Sequence, residues 1–334
     1  MCNLRKLLTL VLLAVLATGG WLAWALLMPV TPAGQKFVML RAGYSTRRIA
    51  AELEGAGVIR SRLGFILWHR VHHKQSLKAG EYLFDKTARP LDIYNRLVRG
   101  DIYVHTVVIP EGFTVFDIAQ AVQDAGLGSA QDFLAVAKSN TELISDLAPE
   151  AKSLEGYLFP NTYEFTRTQT MRDIAAAMVK QFRQVAQQIG LTPGGQGGEV
   201  QKTVTMASIV EKETAVPEER PVVASVYYNR LERNMALQAD PSVIYAELLN
   251  GNYAGALHHS DMSFQSAYNT YTHPGLPPGP IGNPGRSSLE AALHPAQTDY
   301  FYFVSDGNGR HRFSRSLEEH NQNVARLRQA VQGR

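Results

Sequence analysis

The segment Met206-Ala-Ser-Ile-Val-Glu-Lys-Glu-Thr214 holds the strongest candidate for acid–base chemistry. The stretch from about Gln201 to Ala215 has no glycine or proline and is predicted to be helical. At about 100° per residue, one face of this helix is apolar and consists of Met206, Ile209 and Val210. Glu213 falls within that face, whereas Glu211 points about 160° away. A carboxyl group on an apolar face is desolvated, so its pKa should rise and it can act as a general acid. The alternative is that Glu213 lies at the edge of the face and reaches solvent.

The composition fits a globular protein with room for two domains and an anchor. The chain has 334 residues, of which 45% are hydrophobic and 19% charged, and its net charge is +3 at pH 7. This weak positive charge does not indicate nucleic-acid binding, but it suits a protein that works beside anionic polymers or membranes. The single cysteine, Cys2, excludes a disulfide framework and is expected to be an incidental thiol.

An uncharged apolar run from Leu7 to Met28 has the length of a membrane-spanning helix. Such a helix is roughly 33 Å long, enough to cross a bilayer core. Arg5 and Lys6 precede the run and no charge follows before Lys36, so the N-terminus is expected in the cytoplasm and the body of the protein outside it. A cleaved signal peptide is the alternative, because Ala23-Trp-Ala25 resembles a small-x-small cleavage site.

An internal repeat follows the apolar run. Gly43–Val58 aligns with Gly112–Leu127 through a glycine, an aromatic residue, a Ser or Thr, an Ile-Ala pair and a final Ala-Gly pair. The Ser or Thr is a predicted helix N-cap and the final glycine a predicted C-cap. Strand-like runs, Lys36–Leu40 and Tyr103–Ile109, precede the two copies. A strand leading into a capped helix resembles the LysM type of glycan-binding module, although the repeat could serve packing alone.

The residues between the two copies give weaker signals. Leu77–Phe84 is predicted to form a short strand with a turn, and Pro90–Arg99 an amphipathic helix that Gly100 ends. His69, His72 and His73 form a local cluster on a probable helix. Because zinc needs three or four converging ligands, and no cysteine or carboxylate lies nearby in the sequence, we predict neither a metal site nor a cofactor.

The C-terminal part of the chain is rich in polar loops. The glycine-rich stretch Gly190–Gly198 lacks the Lys-Ser/Thr ending of a phosphate loop and is expected to be a flexible linker. Three further stretches combine Tyr, Asn, Pro and Gly: Leu154–Tyr163, Leu237–Tyr245 and Tyr268–Pro284. Aromatic rings that stack on sugars, with amides and acids that bind hydroxyls, would suit a glycan site, although Pro/Gly-rich stretches can also be plain loops.

Together these segments resemble the YceG-like (MltG) endolytic murein transglycosylases over nearly the whole chain. The resemblance rests on five motifs in order: Ala207–Thr214, Leu237–Pro241, Ala267–Tyr271, Gly275–Gly279 and Tyr302–Val304 before Phe313. It implies an α+β fold with an N-terminal transmembrane helix, a LysM-like subdomain and a mixed α+β catalytic domain in the periplasm. The implied boundaries are a cytoplasmic tip at 1–6, the transmembrane helix at 7–29, the LysM-like subdomain at 36–105 and the catalytic domain at 106–330.

The resemblance also implies the catalytic residue. The family's glutamate corresponds to Glu213, which Thr214 follows, and Glu211 is the second choice. The implied reaction is cleavage of nascent peptidoglycan strands with formation of 1,6-anhydro-muramyl ends, and it needs no cofactor. The residues expected to hold the sugar are Glu155, Gln238, Asp240, Tyr245, Asn269 and Tyr271. The implied partners are glycan strands, the inner membrane and, as candidates, peptidoglycan synthases; nucleic acid is not among them.

Two other classes of function stay open on sequence alone. A muramidase-type hydrolase would need a second carboxylate and a water molecule, and Asp240 or Glu155 could supply the carboxylate. A membrane-tethered, non-catalytic glycan-binding scaffold would depend on the repeat and the anchor, and Glu213 would then be dispensable.

Overall fold

The computed structural model describes residues 2–193 and 199–332. The predicted linker is therefore described only up to Pro193, and Gly194–Gly198 lies outside the described residues. The chain divides into two compact units. Unit 1 comprises Met1–His105 and Glu164–Gln169, and unit 2 comprises Thr106–Tyr163 and Thr170–Arg334. The fold is mixed α+β, as predicted.

Unit 1 begins with a long apolar helix, α1 (Cys2–Leu27). Within α1, Arg5–Leu27 is long and apolar enough to cross a membrane, and no other helix among the described residues meets that test. Most of α1 exposes its side chains, whereas Ala25 and Leu26 at its C-terminal end are buried. This end therefore packs on the rest of unit 1.

The body of unit 1 is a two-stranded antiparallel sheet with helices. Strand β1 (Lys36–Leu40) pairs with β2 (Gly80–Phe84), with Lys36 opposite Phe84 and Leu40 opposite Gly80. Helices α2 (Thr46–Gly55) and α3 (Arg62–Val71) lie between the strands in sequence, and α4 (Pro90–Arg99) follows them. The elements enclose one apolar core, which includes Leu40, Leu53, Phe65, Tyr82 and Leu97.

Both copies of the internal repeat form the predicted capped helix. The second helix is α5 (Val115–Asp124), and the hydroxyls of Ser45 and Thr114 accept hydrogen bonds from backbone N–H groups in the first turns of α2 and α5. The glycine lies one residue later than predicted. The cap residue of each helix is an alanine, and the next residue, Gly57 or Gly126, has a φ of 72° or 70°. A side chain would strain this left-handed backbone, which accounts for a glycine there in both copies.

A second strand pair links residues that are far apart in sequence. Strand β3 (His105–Ile109) pairs with β4 (Asn161–Phe165). The third strand was predicted to begin at Tyr103, but Tyr103 donates its backbone N–H to the Glu81 carbonyl instead, at 2.6 Å.

Unit 2 is mainly helical. After α5 it contains α6 (Ala130–Ser139), α7 (Met171–Gln188), α8 (Val200–Glu213), α9 (Arg220–Glu232), α10 (Asp240–Asn250), α11 (Arg286–Leu293) and α12 (Leu317–Gln332). A hairpin of β5 (Tyr302–Ser305) and β6 (His311–Ser314) precedes α12, with Phe303 opposite Phe313. Helix α8 contacts α9, α10 and α11 and lies at the centre of this unit.

Helix α8 is buried on more sides than the sequence suggested. Its residues from Thr203 to Val210 are all buried, including Thr203, Thr205 and Ser208. The hydroxyls of Thr205 and Ser208 donate to helix carbonyls at 2.8 and 2.7 Å, so they need no water. Neighbouring helices and loops therefore enclose α8, and an apolar stripe alone does not describe its packing.

We predict that Gly156 is the least replaceable glycine of unit 2. Its φ is 88°, and an added Cβ would lie 2.6 Å from Pro280 Cβ and 2.9 Å from Val204 Cγ1 on α8. Gly156→Ala should therefore lower the free energy of unfolding by about 3 kcal/mol or more, through backbone strain plus overpacking. Denaturant titration measures the loss.

Gly251→Ala is the matched control. Gly251 has a φ of 70° but no atom within 4 Å of an added Cβ, so its replacement should cost only the backbone term, about 1 kcal/mol. Equal losses for the two variants would contradict the packing described around Gly156.

Candidate active site

Glu213 is the last residue of the central helix of unit 2. Thr214 leaves the helix in an extended conformation, with φ −138° and ψ 130°, so the helix ends two residues earlier than predicted. The side chain of Glu213 is partly exposed, whereas the helix behind it is buried. A carboxylate at the C-terminal end of a helix faces the negative end of the helix dipole, which disfavours its charge.

The carboxyl group of Glu213 is hydrogen-bonded to Tyr227 on α9. The Tyr227 hydroxyl donates to Glu213 Oε1 at 2.6 Å. Burial raises the pKa of Glu213 from 4.5 to about 7, and the negative charge of Asp240 adds to the rise. The hydrogen bond from Tyr227 and the positive charges of His311 and Arg230 oppose it. Glu213 is therefore a carboxylic acid that keeps its proton up to near-neutral pH, as the sequence predicted.

Arg230, one turn after Tyr227 on α9, holds the loop before α10. Its Nε donates to the Phe301 carbonyl at 2.7 Å, and its Nη1 donates to the Leu237 carbonyl, also at 2.7 Å. Burial lowers the pKa of Arg230. This buried cation joins the strand region near β5 to the residue that precedes Gln238.

Gln238, Asp240 and Tyr271 lie at the solvent side of this loop. Gln238 is exposed and has a φ of 51°, and its N–H donates to the Thr270 carbonyl at 3.2 Å. Asp240 is exposed at the first position of α10, and the Tyr271 hydroxyl donates to its Oδ1 at 2.5 Å. Burial and the hydrogen bond to Asp240 raise the pKa of Tyr271. The negative charges of Asp240 and Glu213 add to the rise in the pKa of Tyr271.

Asn269 lies inside the loop that carries Tyr271. Its side chain is completely buried, and its amide donates to the carbonyls of Met262 and Phe264 at 3.0 and 2.7 Å. Its Oδ1 accepts the Tyr271 N–H at 2.9 Å. All of these bonds join residues of one loop, so Asn269 fixes the backbone that presents Tyr271.

Glu155 and Tyr245 form a separate buried polar group. Glu155 is 2% exposed, and its carboxylate accepts the Val115 N–H at the start of α5 and the Asn283 amide at 2.7 Å. Burial raises the pKa of Glu155 to about 7, and hydrogen bonds from Val115 and Tyr245 oppose the rise. Tyr245 is 3% exposed. The structure thus places Glu155 and Tyr245 away from solvent, unlike Gln238 and Asp240.

Glu219 and His311 form a hydrogen-bonded pair that contacts Thr214, the residue after Glu213. The N–H and Nδ1 of His311 lie 3.1 and 2.7 Å from the two Glu219 oxygens, and the Thr214 hydroxyl donates to the same carboxylate at 3.4 Å. Burial alone would raise the pKa of Glu219, but the hydrogen bonds from His311 outweigh it and lower that pKa. The pair ties β6 to the residue after Glu213.

Glu211 has a different environment from Glu213. Its side chain is 5% exposed and pairs with Arg220, which is 7% exposed, at 2.8 Å. The other oxygen accepts the Gly285 N–H at 2.8 Å. Both oxygens are therefore used to hold α8, α9 and the start of α11 together, and Glu211 has no free oxygen with which to act as an acid.

The described residues contain no group of three or more His, Cys, Asp or Glu side chains placed to hold a metal ion. In the histidine cluster, His69 Nδ1 lies 3.1 Å from the Tyr94 hydroxyl and His72 Nδ1 lies 2.9 Å from the Trp68 carbonyl. These rings thus take part in the packing of unit 1.

Comparison with known proteins places this chain in a family. A model of the YceG-like family matches residues 38–326. The chain belongs to the YceG-like family. The match begins within β1 and ends within α12, so it covers elements of both units.

Relatives with known names agree. A Bacillus subtilis protein named endolytic murein transglycosylase is 35% identical over 85% of this chain and 82% of its own length. A Streptococcus pneumoniae protein of the same name is 31% identical over 95% of this chain, which spans 64% of that relative. The crystal structure of a yceG-like protein from Listeria monocytogenes matches with 33% identity and a TM-score of 0.57, over 86% of this chain and 98% of that one.

Several residues around Glu213 had no signal in the sequence. Tyr227 and Arg230 lie on α9, outside every motif, and the Glu219–His311 pair joins residues 92 positions apart. Asn283 falls inside a loop that was predicted to bind sugar, but its amide bridges Glu155 and the Phe113 carbonyl. A motif indicates which polar residue types occur together in one stretch of sequence. It does not indicate a buried hydrogen-bond partner that another helix or strand contributes.

We predict opposite effects on stability for the two acids of α8. Since the folded-state pKa of Glu213 is raised from 4.5 to about 7, wild type should lose stability as pH rises through that window. Glu213→Gln removes this loss. The variant should match wild type near pH 4 and exceed it by up to about 3 kcal/mol above pH 7. Denaturant titrations at both pH values test this.

Glu211→Gln is the paired control. It removes the nearer of the two carboxylates beside the buried Arg220 and leaves only Glu111, at 3.6 Å, so it should destabilise the protein at pH 7 by about 2 kcal/mol. A Glu213→Gln variant that is less stable than wild type at pH 8 would contradict the desolvated environment of Glu213.

Proposed function

We propose that this chain is an endolytic lytic transglycosylase that cuts the β-1,4 bond between N-acetylmuramic acid and N-acetylglucosamine in nascent peptidoglycan. The observation that carries the proposal is the carboxyl group of Glu213, which stays protonated to about pH 7 beside the hydroxyl of Tyr227. The names of the Bacillus subtilis and Streptococcus pneumoniae relatives support the substrate class.

Glu213 can serve as both acid and base in this reaction. Protonated Glu213 gives its proton to the glycosidic oxygen, and the C1–O bond breaks through an oxocarbenium-like state. The resulting carboxylate takes the proton of the C6 hydroxyl of the same muramyl unit while that oxygen bonds to C1. A 1,6-anhydro ring closes and Glu213 regains its proton. Because the nucleophile is intramolecular, one carboxyl group is sufficient.

We assign the predicted sugar-binding residues to two roles. Gln238, Asp240 and Tyr271 are at least partly exposed, and the charges of Asp240 and Glu213 both act on Tyr271, so we assign these three residues to contact with the glycan. Glu155, Tyr245 and Asn269 are buried and already hydrogen-bonded, which favours a role in positioning loops over direct contact. Tyr227 is a positioning residue for Glu213.

A muramidase-type hydrolase is the second candidate, and one observation favours it. Asp240 is exposed, and its charge acts on Glu213, so a second carboxylate lies near the acid and could activate water. Glu155 is less suited to that role because it is 2% exposed. The product, described below, separates the two reactions.

The proposal extends to the rest of the chain. α1 has the length and composition of a single-pass anchor, and we place its N-terminus in the cytoplasm and both units in the periplasm at the inner membrane. We propose that the β1–α2–α3–β2 arrangement of unit 1 is LysM-like and contacts glycan. Near the membrane, the enzyme would meet new strands and peptidoglycan synthases, and its internal cuts would terminate strand growth.

Digestion of peptidoglycan in H₂¹⁸O tests the chemistry. Wild type should create 1,6-anhydro-muramyl ends without ¹⁸O, which mass spectrometry detects. Glu213→Gln should lower the rate of end formation by about 10²–10⁴-fold while the fold is kept. Label at new muramyl termini would establish the hydrolase instead, and a Gln variant as fast as wild type would remove Glu213 from the mechanism.

The pH dependence of cleavage gives a further test. The rate should fall as pH rises through about 7, because the acid form of Glu213 is lost. Tyr227→Phe removes the hydrogen bond that lowers the pKa of Glu213, so the alkaline midpoint should move to higher pH. Tyr228→Phe, whose hydroxyl donates to the Ala292 carbonyl, is the control and should keep the wild-type midpoint. An unchanged midpoint in Tyr227→Phe would contradict the proposed coupling.

Reporter fusions test the orientation. A reporter that is active only after export should work when fused after Arg334, because Arg5 and Lys6 precede α1's apolar run. A reporter that needs the cytoplasm should be inactive at the same position. The reverse pattern would separate the enzyme from its substrate and overturn the proposed location.

A further inference from the structure

Helix α3 carries an apolar row that the core of unit 1 does not cover. Leu63, Leu67 and Val71 are 60%, 43% and 77% exposed. They are four residues apart and fall within an arc of about 80° on the helix. Phe65, which is 1% exposed in the core, lies about 160° from Leu67 on the same helix. We call Leu63, Leu67 and Val71 the α3 apolar face.

The C-terminal end of the membrane-span candidate docks beside this face. A Cβ on Gly64 would lie 2.9 Å from the Cβ of Ala25, so α1 and α3 touch at that point. Arg60, just before α3, donates to the Pro29 carbonyl at 2.8 Å and lies 5.7 Å from the Trp24 ring centroid. On the wheel of α3, Gly64 lies about 20° from Val71, so the surface that faces α1 continues into the α3 apolar face.

The contact has a defined depth relative to a bilayer. The apolar part of α1, Arg5–Leu27, is about 34 Å long, against about 30 Å for a bilayer core. Ala25 precedes Leu27 by about 3 Å of helix rise. With α1 as the single-pass anchor proposed above, Gly64 would lie where α1 leaves the hydrocarbon, and α3 would start at the level of the lipid headgroups.

Charges next to the face suit this position. Arg70 and Lys74 are exposed, and Arg70 lies about 20° from Leu63 on the side away from Gly64. Leucine and valine on one face with basic residues at its border are typical of helices that lie in a membrane interface and meet anionic headgroups. In water, three exposed apolar side chains in a row would be unfavourable, whereas in a membrane interface their burial is favourable.

We propose that the α3 apolar face inserts into the leaflet that α1 reaches with Leu27, so that unit 1 lies on the bilayer surface. This inference depends on the single-pass anchor proposed above, but not on the catalytic function. It adds a second membrane contact to the anchor, and this contact fixes how unit 1 is turned about the axis of α1.

Spin labelling of the full chain in nanodiscs of phosphatidylethanolamine and phosphatidylglycerol tests the proposal. In a Cys2→Ser background, single cysteines replace Leu63, Leu67 and Val71, and each label's accessibility is measured with oxygen, which partitions into lipid, and with a water-soluble nickel complex. Leu12→Cys in the span is the lipid reference. Arg47→Cys, at an exposed position of α2, is the aqueous reference.

The three labels should resemble Leu12→Cys, with oxygen more effective than nickel, whereas Arg47→Cys should show the reverse. Labels on the face that behave like Arg47→Cys, while Leu12→Cys stays in lipid, would overturn the proposal. Low accessibility to both reagents with spin–spin broadening would show a second copy on the face and would also overturn it. If the Leu12→Cys label is in water, the anchor itself is wrong and the inference falls with it.

Discussion

The end of a buried helix sets the acidity of Glu213, the group on which the proposed chemistry depends. Helix α8 runs through the centre of unit 2, and its last residue, Glu213, reaches the surface as the helix stops. The apolar surroundings make the charged carboxylate costly, so the proton stays on to about pH 7. Tyr227 prevents a larger shift by donating to the carboxyl group. The burial of α8 in the fold therefore determines the pKa of Glu213.

Buried amide side chains provide the second constraint, because they hold the polar loops around that helix end. Asn283 accepts the Leu158 N–H at 2.8 Å and donates to the Phe113 carbonyl at 2.9 Å. Asn269 likewise donates to the Phe264 carbonyl and accepts the Tyr271 N–H inside the loop that carries Tyr271. Pro/Gly-rich loops make few backbone ladders, so without such side chains their carbonyl and N–H groups would be buried without partners.

Much of the local structure could be predicted from sequence. The capped helices of the repeat, the strand at Lys36–Leu40 and the helix at Pro90–Arg99 all appear, because caps, alternation and apolar spacing are local signals. The wheel also separated Glu213 from Glu211. It could not show that Glu211 is the acid enclosed in an ion pair, because its partner Arg220 comes from another helix.

What the sequence could not supply were contacts between distant residues. Nothing in the short stretch Glu164–Gln169 indicates that it belongs to unit 1, where Arg167 pairs with the buried Glu81 at 2.9 Å. The expectation that Glu155 and Asn269 face a sugar followed from their residue types in polar loops. Their burial depends on Val115, Asn283 and a loop backbone that only the fold brings together.

The Glu219–His311 pair makes the surroundings of Glu213 depend on a residue that is translated much later. Glu219 is buried and follows Glu213 by six residues, but its partner, His311, comes 92 residues after Glu219. During translation, α8 and Glu213 are made long before β6 can supply His311. A chain interrupted in between keeps the acid but lacks the contact that ties down Thr214 beside it. The contact beside Glu213 is thus completed only after the β5–β6 hairpin has been made.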